Sequence, residues 1–340
     1  MTKTAAAAAA PLLAIAALPL LAACGASSDA LEPSAPVVVG ATSTDAGTSS
    51  GGAATTPGAS GGGSASGGSS GGSSGGIPSG GGSDAPVAGN CTEAAKLVYL
   101  VSKQKELWSF NPAVTGTAAY RRVGALRCSS TSAPQTMGVD RTGTAWVFYS
   151  DGSLHKVDVT TAACTSTGFT YPDVIPFEGL NLGSGFTALG GDPTRETLFL
   201  LRSAEGLSTF ETRANRLTET GRLVGSLGEL TGGPDGRLFA FNPMGTPKIS
   251  EVNTTTFALT PVKTFASSFF SGVRSFALSR YAGAFYMFTA TLDVDGIATG
   301  PSKVTVYDPS TDALTTRDAS VGFTVVGAGQ SVCVPPPVIR

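Results

Sequence analysis

One histidine occurs in 340 residues, His155, inside "YSDGSLHKVD" (149–158). Histidine is the commonest general base and metal ligand, so this position invites a catalytic reading. It lacks partners. No second histidine exists to complete a relay or a metal site, and no CxxC pair occurs. From residue 91 onward there is no HExxH, Walker loop, GxSxG, or GxGxxG ahead of a helix. Asp140 and Asp192 each follow a short apolar run, and Gly233-Pro234-Asp235 occupies the corresponding place further along. They recur as turns require, and so read as turn residues rather than as an acid/base pair. "LDVDGIATG" (292–300) opens with the spacing of a calcium loop. It lacks the third acid and the closing glutamate, and reads as a polar connection. No catalytic residue, metal or cofactor is expected.

The element that holds His155 is one of a set. "LWSFNPAVTG" begins at Leu107, "LHKVDVTTAA" at Leu154, "LSTFETRANR" at Leu207, "ISEVNTTTFA" at Ile249 and "VTVYDPSTDA" at Val304. Each runs aliphatic, two spacers, apolar or aromatic, then Asn, Asp or Glu opening a Thr-rich turn. The spacing is about 42–55 residues, the period of propeller blades. Upstream of the later copies lie paired apolar strands: "TMGVDRTGTAWVFYS", "ALGGDPTRETLFLL", "ELTGGPDGRLFAFN" and "SFALSRYAGAFYMF". The unit is thus strand a, strand b, strand c and a closing strand d such as "YRRVGAL". Four antiparallel strands repeated radially predict an all-β fold, a β-propeller of five four-stranded blades. His155 falls mid-strand c, opposite Trp108, Ser208, Ser250 and Thr305 in the other blades, and nothing chemical recurs there. Asp151-Gly152 is expected to be a two-residue type I′ turn.

Blade one begins directly with strand b, "KLVYLVSKQKELWSFNP". The unmatched segment is "VGFTVVGAGQSVC" (321–333), so the C-terminus is expected to supply the innermost strand of blade one. Glycine is expected to be frequent in the a strands, at Gly138, Gly190, Gly191, Gly232, Gly233 and Gly327, where five strands crowding one axis favour small residues. Cys91 precedes strand b of blade one and Cys333 ends its strand a, which pairs them. Cys128 and Cys164 then pair by elimination, although the inferred register puts them near opposite ends of neighbouring blades. The region resembles the bacterial propeller repeats of the NHL and YVTN type. That resemblance implies a fold and not a function, since propellers host hydrolases, lyases, lectins and scaffolds.

The first 90 residues differ in kind. A positive Lys3 precedes an apolar run from Ala5 to about Ala23 that ends in "LAACG" (21–25), and the pattern reads as a secretory signal. "LAACG" resembles the lipobox of bacterial lipoproteins. The resemblance implies a signal peptide over 1–23 and a diacylglyceryl Cys24 as first mature residue. It also implies stable anchoring by two or three acyl chains. Gly25, where an Asp would resemble an inner-membrane retention signal, favours the outer membrane. Residues 24–90 are Gly/Ser-rich, carry no cation and precede the first aromatic, Tyr99. Such a segment cannot bury a core and reads as a disordered tether. The propeller is expected over 91–340.

Without Lys3 and the four acids of the tether, 21 cations face 20 anions. A near-neutral region has no footprint for nucleic acid. A monomer is expected, with the membrane as partner through Cys24. The longest connections expected are d–a and b–c loops, which share one face: "TYPDVIPFEGLNLGSG" (170–185), "ASSFFSGVR" (266–274) and "TLDVDGIATGPS" (291–302). They gather Tyr171, Asp173, Phe177, Glu178, Phe269, Phe270 and Arg274 as a candidate binding face for a protein or glycan. Two roles compete for the aromatics, a ligand surface and a plug packed into the channel mouth. For the whole protein, a non-catalytic binding or scaffolding module is favoured. An exported glycosidase, lyase or lactonase is the alternative, and a passive spacer is a third reading.

Overall fold

The computed structural model describes residues 91–171, 182–192, 194–202, 206–221, 228–292 and 299–337. The expected signal peptide, Cys24 and the tether lie outside the described residues, as do Asp173, Phe177 and Glu178 of the candidate face. Twenty strands form five four-stranded antiparallel sheets. Blade one joins β1 (Val98–Ser102), β2 (Glu106–Phe110) and β3 (Tyr120–Ala125) to β20 (Val325–Gln330). Blade two is β4 (Pro134–Val139), β5 (Thr144–Tyr149), β6 (Ser153–Asp158) and β7 (Cys164–Thr170). Blade three is β8 (Leu182–Ala188), β9 (Glu196–Arg202), β10 (Gly206–Glu211) and β11 (Arg216–Gly221). Blade four is β12 (Glu229–Thr231), β13 (Leu238–Asn242), β14 (Lys248–Val252) and β15 (Leu259–Thr264). Blade five is β16 (Val273–Tyr281), β17 (Ala284–Thr291), β18 (Lys303–Asp308) and β19 (Ala313–Asp318). The inner strands contact one another in the ring β20, β4, β8, β12, β16 and back to β20. This is a five-bladed β-propeller.

Strand b of each blade has a continuous apolar centre because both its faces are covered. In β1, Val98 and Leu100 join the cluster shared with blade five, while Tyr99 and Val101 join the cluster shared with blade two. In β5, Trp146 and Phe148 face blade three, and Ala145, Val147 and Tyr149 face blade one. The same alternation runs through β9, β13 and β17, giving five interblade cores. Period-2 side-chain geometry makes one continuous apolar strand serve two cores. The polar residue ending strand c is also explained. Asn111 Oδ1 accepts the Ala113 N–H, Asp158 Oδ1 those of Thr160 and Thr161, Asn253 Oδ1 those of Thr255 and Thr256, and Asp308 Oδ1 that of Ser310. These side chains close the c–d turn by mimicking a backbone turn.

The ring closes as expected: β20 pairs antiparallel with β1, from Val98 opposite Gln330 to Ser102 opposite Val325. Both disulfides form, Cys91–Cys333 with a sequence separation of 242 and Cys128–Cys164 with one of 36. The second pairing is as expected, but the register is not. Gly124, near the end of β3, abuts Ala162 and Thr161 in the c–d turn of blade two. Strand twist accumulated across the sheet swings the outer strand of blade one over the far end of its neighbour. The chain then descends blade two past Cys164, with Ser129 against His155 and Ser130 against Asp151.

Two local expectations are corrected. Strand a of blade three is Leu182–Ala188, not "ALGGD"; Gly190 (φ 65°) and Gly191 (φ 74°) lie in the following turn. The b–c hairpin of blade two is not type I′. Gly152 has φ 79°, but Asp151 is not left-handed, and the Gly152 N–H bonds the Tyr149 carbonyl. That is a three-residue loop, a type I turn completed by a left-handed glycine.

Candidate functional site

The inner strands approach so closely that side chains are excluded at several points. A Cβ on Gly183 would collide with the Gly228 carbonyl, and one on Gly232 with the Phe186 carbonyl. The residues that do project are mostly small and polar. Thr136 of β4, Ser184 of β8 and Glu229 of β12 meet at the axis. Thr136 Oγ1 donates to Glu229 Oε1 at 2.5 Å, the Ser184 N–H donates to the same oxygen at 3.1 Å, and the two hydroxyls lie 3.0 Å apart. A second node sits toward the other end. Gln330 Nε2 donates to Thr231 Oγ1 and the Gly232 carbonyl, while Ser279 Oγ donates to Gln330 Oε1. All five blades are thus tied by the Gln330 and Glu229 side chains through hydroxyls and amides.

Glu229 is 2% exposed. Burial pushes its carboxyl up to about 8, only partly opposed by the hydrogen bonds from Thr136, Ser184 and Leu230. It therefore carries a proton at neutral pH. The sequence reading passed over it. Glu229 opens the "ELTGG" copy of strand a, where the other strands carry Thr, Ser or Gly. An acid at a position otherwise held by small residues was the available signal. Glu229 is the one carboxylate on the five inner strands.

Each inner strand begins at the face that bears the d–a and b–c connections. The first residues of all five line a pocket of about 180 Å³ there, among them Gln135, Leu182, Glu229, Arg274 and Val326. Around it the candidate residues divide. Tyr171 and Phe270 are buried: Tyr171 packs with Leu182 and Phe186, and Phe270 against Phe241 and Phe265. Their rings serve as packing. Phe269 is 40% exposed, and Arg274 is exposed on the pocket wall. Met244 and Leu292, which the sequence reading did not single out, are 48% and 41% exposed on connections of the same face. Met244 lies beside Gly245, whose carbonyl accepts Ser267 Oγ, and the Phe269 carbonyl accepts Lys303 Nζ. These contacts bring the connections of blades four and five together beside the channel mouth.

No protein-family model and no curated protein matches the chain. Solved structures do. A chain of a nidogen/laminin complex is similar at 10% identity and a TM-score of 0.44, over 68% of this chain and 97% of that one. A structural-genomics protein of unknown function from Bacteroides thetaiotaomicron is similar at 10% identity and 0.42, over 71% and 66%. The β-propeller domain of Swd1 (Cps50) from Myceliophteria thermophila is similar at 8% identity and 0.38, over 68% and 71%. These likenesses concern the fold alone.

His155 is 1% exposed on β6, with Nε2 3.1 Å from Ser129 Oγ and its ring edge-on to Tyr149. Burial holds its pKa below the usual value against the opposing charge of Asp151. It buttresses the segment after Cys128. Asp140 and Asp192 are turn residues. Asp140 Oδ1 accepts the N–H groups of Thr142 and Thr144 and its Oδ2 accepts the indole N–H of Trp146; Asp192 Oδ1 accepts from Thr194. Most of "LDVDGIATG" lies outside the described residues; its flanks Leu292 and Thr299 pair as an isolated bridge. Among the described residues no cluster of three His, Cys, Asp or Glu side chains has a geometry for a metal ion.

Proposed function

We propose that the protein is a non-catalytic binding module: a propeller that engages a polypeptide partner on its d–a/b–c face, carried on a membrane by lipid at Cys24. The observation that carries the reading is the exposure of Met244, Phe269 and Leu292 on connections of the face that bears the mouth pocket and Arg274. Exposed large apolar side chains gathered on one face mark interaction surfaces. An aliphatic and aromatic cluster rimmed by a guanidinium suits a segment with apolar side chains flanked by a carboxylate. The enzymatic alternative has one feature in its favour, the neutral Glu229 carboxyl. A general acid must reach its substrate. Glu229 borders the mouth pocket but is 2% exposed, with its Oε1 held by Thr136 and the Ser184 N–H, and no second carboxylate stands on the inner strands to act with it. The lipobox-like "LAACG" and the Gly/Ser-rich residues that follow it support an anchored, tethered head over 91–340, held at the outer membrane.

Cross-linking on intact cells tests the binding reading. A partner captured by the wild type should be lost by Phe269→Ser, Met244→Ser and Arg274→Glu, all exposed positions, with the melting temperature unchanged. Capture that survives all three substitutions overturns this face as the binding surface. Labelling with a palmitate analogue should mark the wild type and not Cys24→Ser; equal labelling removes the lipid anchor.

A further inference from the structure

We propose that the cleft between blades two and three, on the face opposite the mouth pocket, binds an acidic oligosaccharide, a glycan chain bearing carboxylates. The cleft measures about 1020 Å³. One wall is the a–b turn of blade two with Trp146 and Lys156; the other is the a–b turn of blade three with Glu196, and β10 with its c–d turn. Its apolar floor is Trp146, Leu198 and Phe210, all buried. Glu196 spans the bottom: both its oxygens accept the Arg141 N–H at 3.0 Å. That bond fixes the separation of the two turns, so the cleft is held open by a defined contact.

The charges inside are unequal in availability. Asp140 is satisfied by Thr142, Thr144 and the Trp146 indole, and Glu211 pairs with Arg216 at 2.9 Å. Lys156, Arg195 and Arg213 are exposed, and among the described residues none forms an ion pair. Lys156 lies 4.7 Å from the centre of the Trp146 ring, presenting its ammonium at the rim. Four cations, Arg141, Lys156, Arg195 and Arg213, line the cleft against Asp140, Glu196 and Glu211, and Glu211 is already paired with Arg216, so the lining carries a net positive charge and calls for an anionic ligand. Threonine hydroxyls from both walls, such as Thr144, Thr197 and Thr209, add donors and acceptors. An acidic peptide offers carboxylates without hydroxyls to pair with these groups and with the Asp140 and Glu196 oxygens. A uronic-acid chain offers both.

Titration gives the site a signature. Burial, and secondarily the charge of Asp140, pushes the Glu196 carboxyl up to about 7. It is faced by Asp140 and Arg141 from the blade-two turn, by Lys156 from β6, and by Arg195, Glu211 and Arg213 from blade three. Ionisation above neutrality adds a negative charge beside a negative ligand, so affinity should fall as pH rises from 6 to 8.

Calorimetric titration of the full chain with tetragalacturonate, maltotetraose and tetraglutamate tests the proposal. The uronate should bind about ten-fold tighter than either control. The double variant Lys156→Ala/Arg213→Ala should lose about ten-fold in affinity with its melting temperature unchanged. Glu196→Gln should bind with the affinity the wild type shows at pH 6 and lose the pH dependence. Equal or tighter binding of either control, no binding of the uronate, or a double variant that binds as the wild type does would each overturn it.

Discussion

Glu229 is the residue at which burial and charge conflict most openly, and its titration should register in the stability of the whole ring. Its carboxyl is raised in the folded state and ordinary in the unfolded chain, so the folded state binds the extra proton between about pH 4.5 and about 8. Stability is then fully present at the acid end of that window and declines as pH rises through it. Thermal melts at pH 5 and pH 8 should differ by an amount on the order of a few kcal/mol, and Glu229→Gln should reduce the difference, leaving the part that Glu196, raised to about 7 by burial, contributes with the same sign. His155 acts at the other end: its lowered pKa means that stability falls as pH drops below about 6.5. Phe270 and Phe269 form a contrasting pair. Phe270→Ala should destabilise by roughly 3–5 kcal/mol, whereas Phe269→Ala, at a half-exposed ring, should leave the melt nearly unchanged. His155 and the turn aspartates were legible because they recur or fail to recur with the repeat. Glu229 was not, since nothing in a linear pattern says that a residue opening a short strand will meet Thr136 and Ser184 across the axis.

At the scale of elements, strand b and the c–d turn were read correctly because each has a strong local signature: an unbroken apolar run, or an Asn or Asp ahead of threonines. The a strands were harder. They are glycine-rich for a reason of close approach, and glycine also marks turns, so "ALGGD" has the pattern of a strand although it is largely the turn after one. Moving it lengthens the a–b connection of blade three to residues 189–195. That connection carries Thr194 and Arg195 into the cleft with blade two, a length of chain that the glycine pattern of "ALGGD" conceals. Gly183 and Gly185, taken as loop, are the true inner-strand glycines. Gly183→Ala should therefore unfold or badly destabilise the head, while Gly168→Ala on outer β7, with open space around its Cα, should cost only the strain of its left-handed φ of 74°. Circular-dichroism melts of the two variants separate them. The closing strand is the other element on which the ring depends. Truncation from Val321 removes β20 together with Cys333, and should abolish the cooperative melt; an undiminished transition would mean that blade one closes without it.

For the whole molecule, five interblade clusters replace a single core, and each blade is stabilised only by its two neighbours. Such a ring is closed by β20 and clasped by Cys91–Cys333. In the chain-entropy account a crosslink spanning 242 residues contributes at most ~5 kcal/mol. The clasp has a mechanical consequence as well. Its two cysteines bracket every strand of the propeller, so tension applied through the two ends of the chain passes from Cys91 straight across the sulfurs to Cys333. The blades carry none of it. Under oxidising conditions a head pulled by its termini should show no unfolding step in a single-molecule stretching experiment. Once the bond is reduced, the load falls on the β20–β1 seam, and the bracketed residues should pay out roughly 80 nm of chain. The clasp thus takes the load path between the ends of the chain away from the packing that holds the blades together.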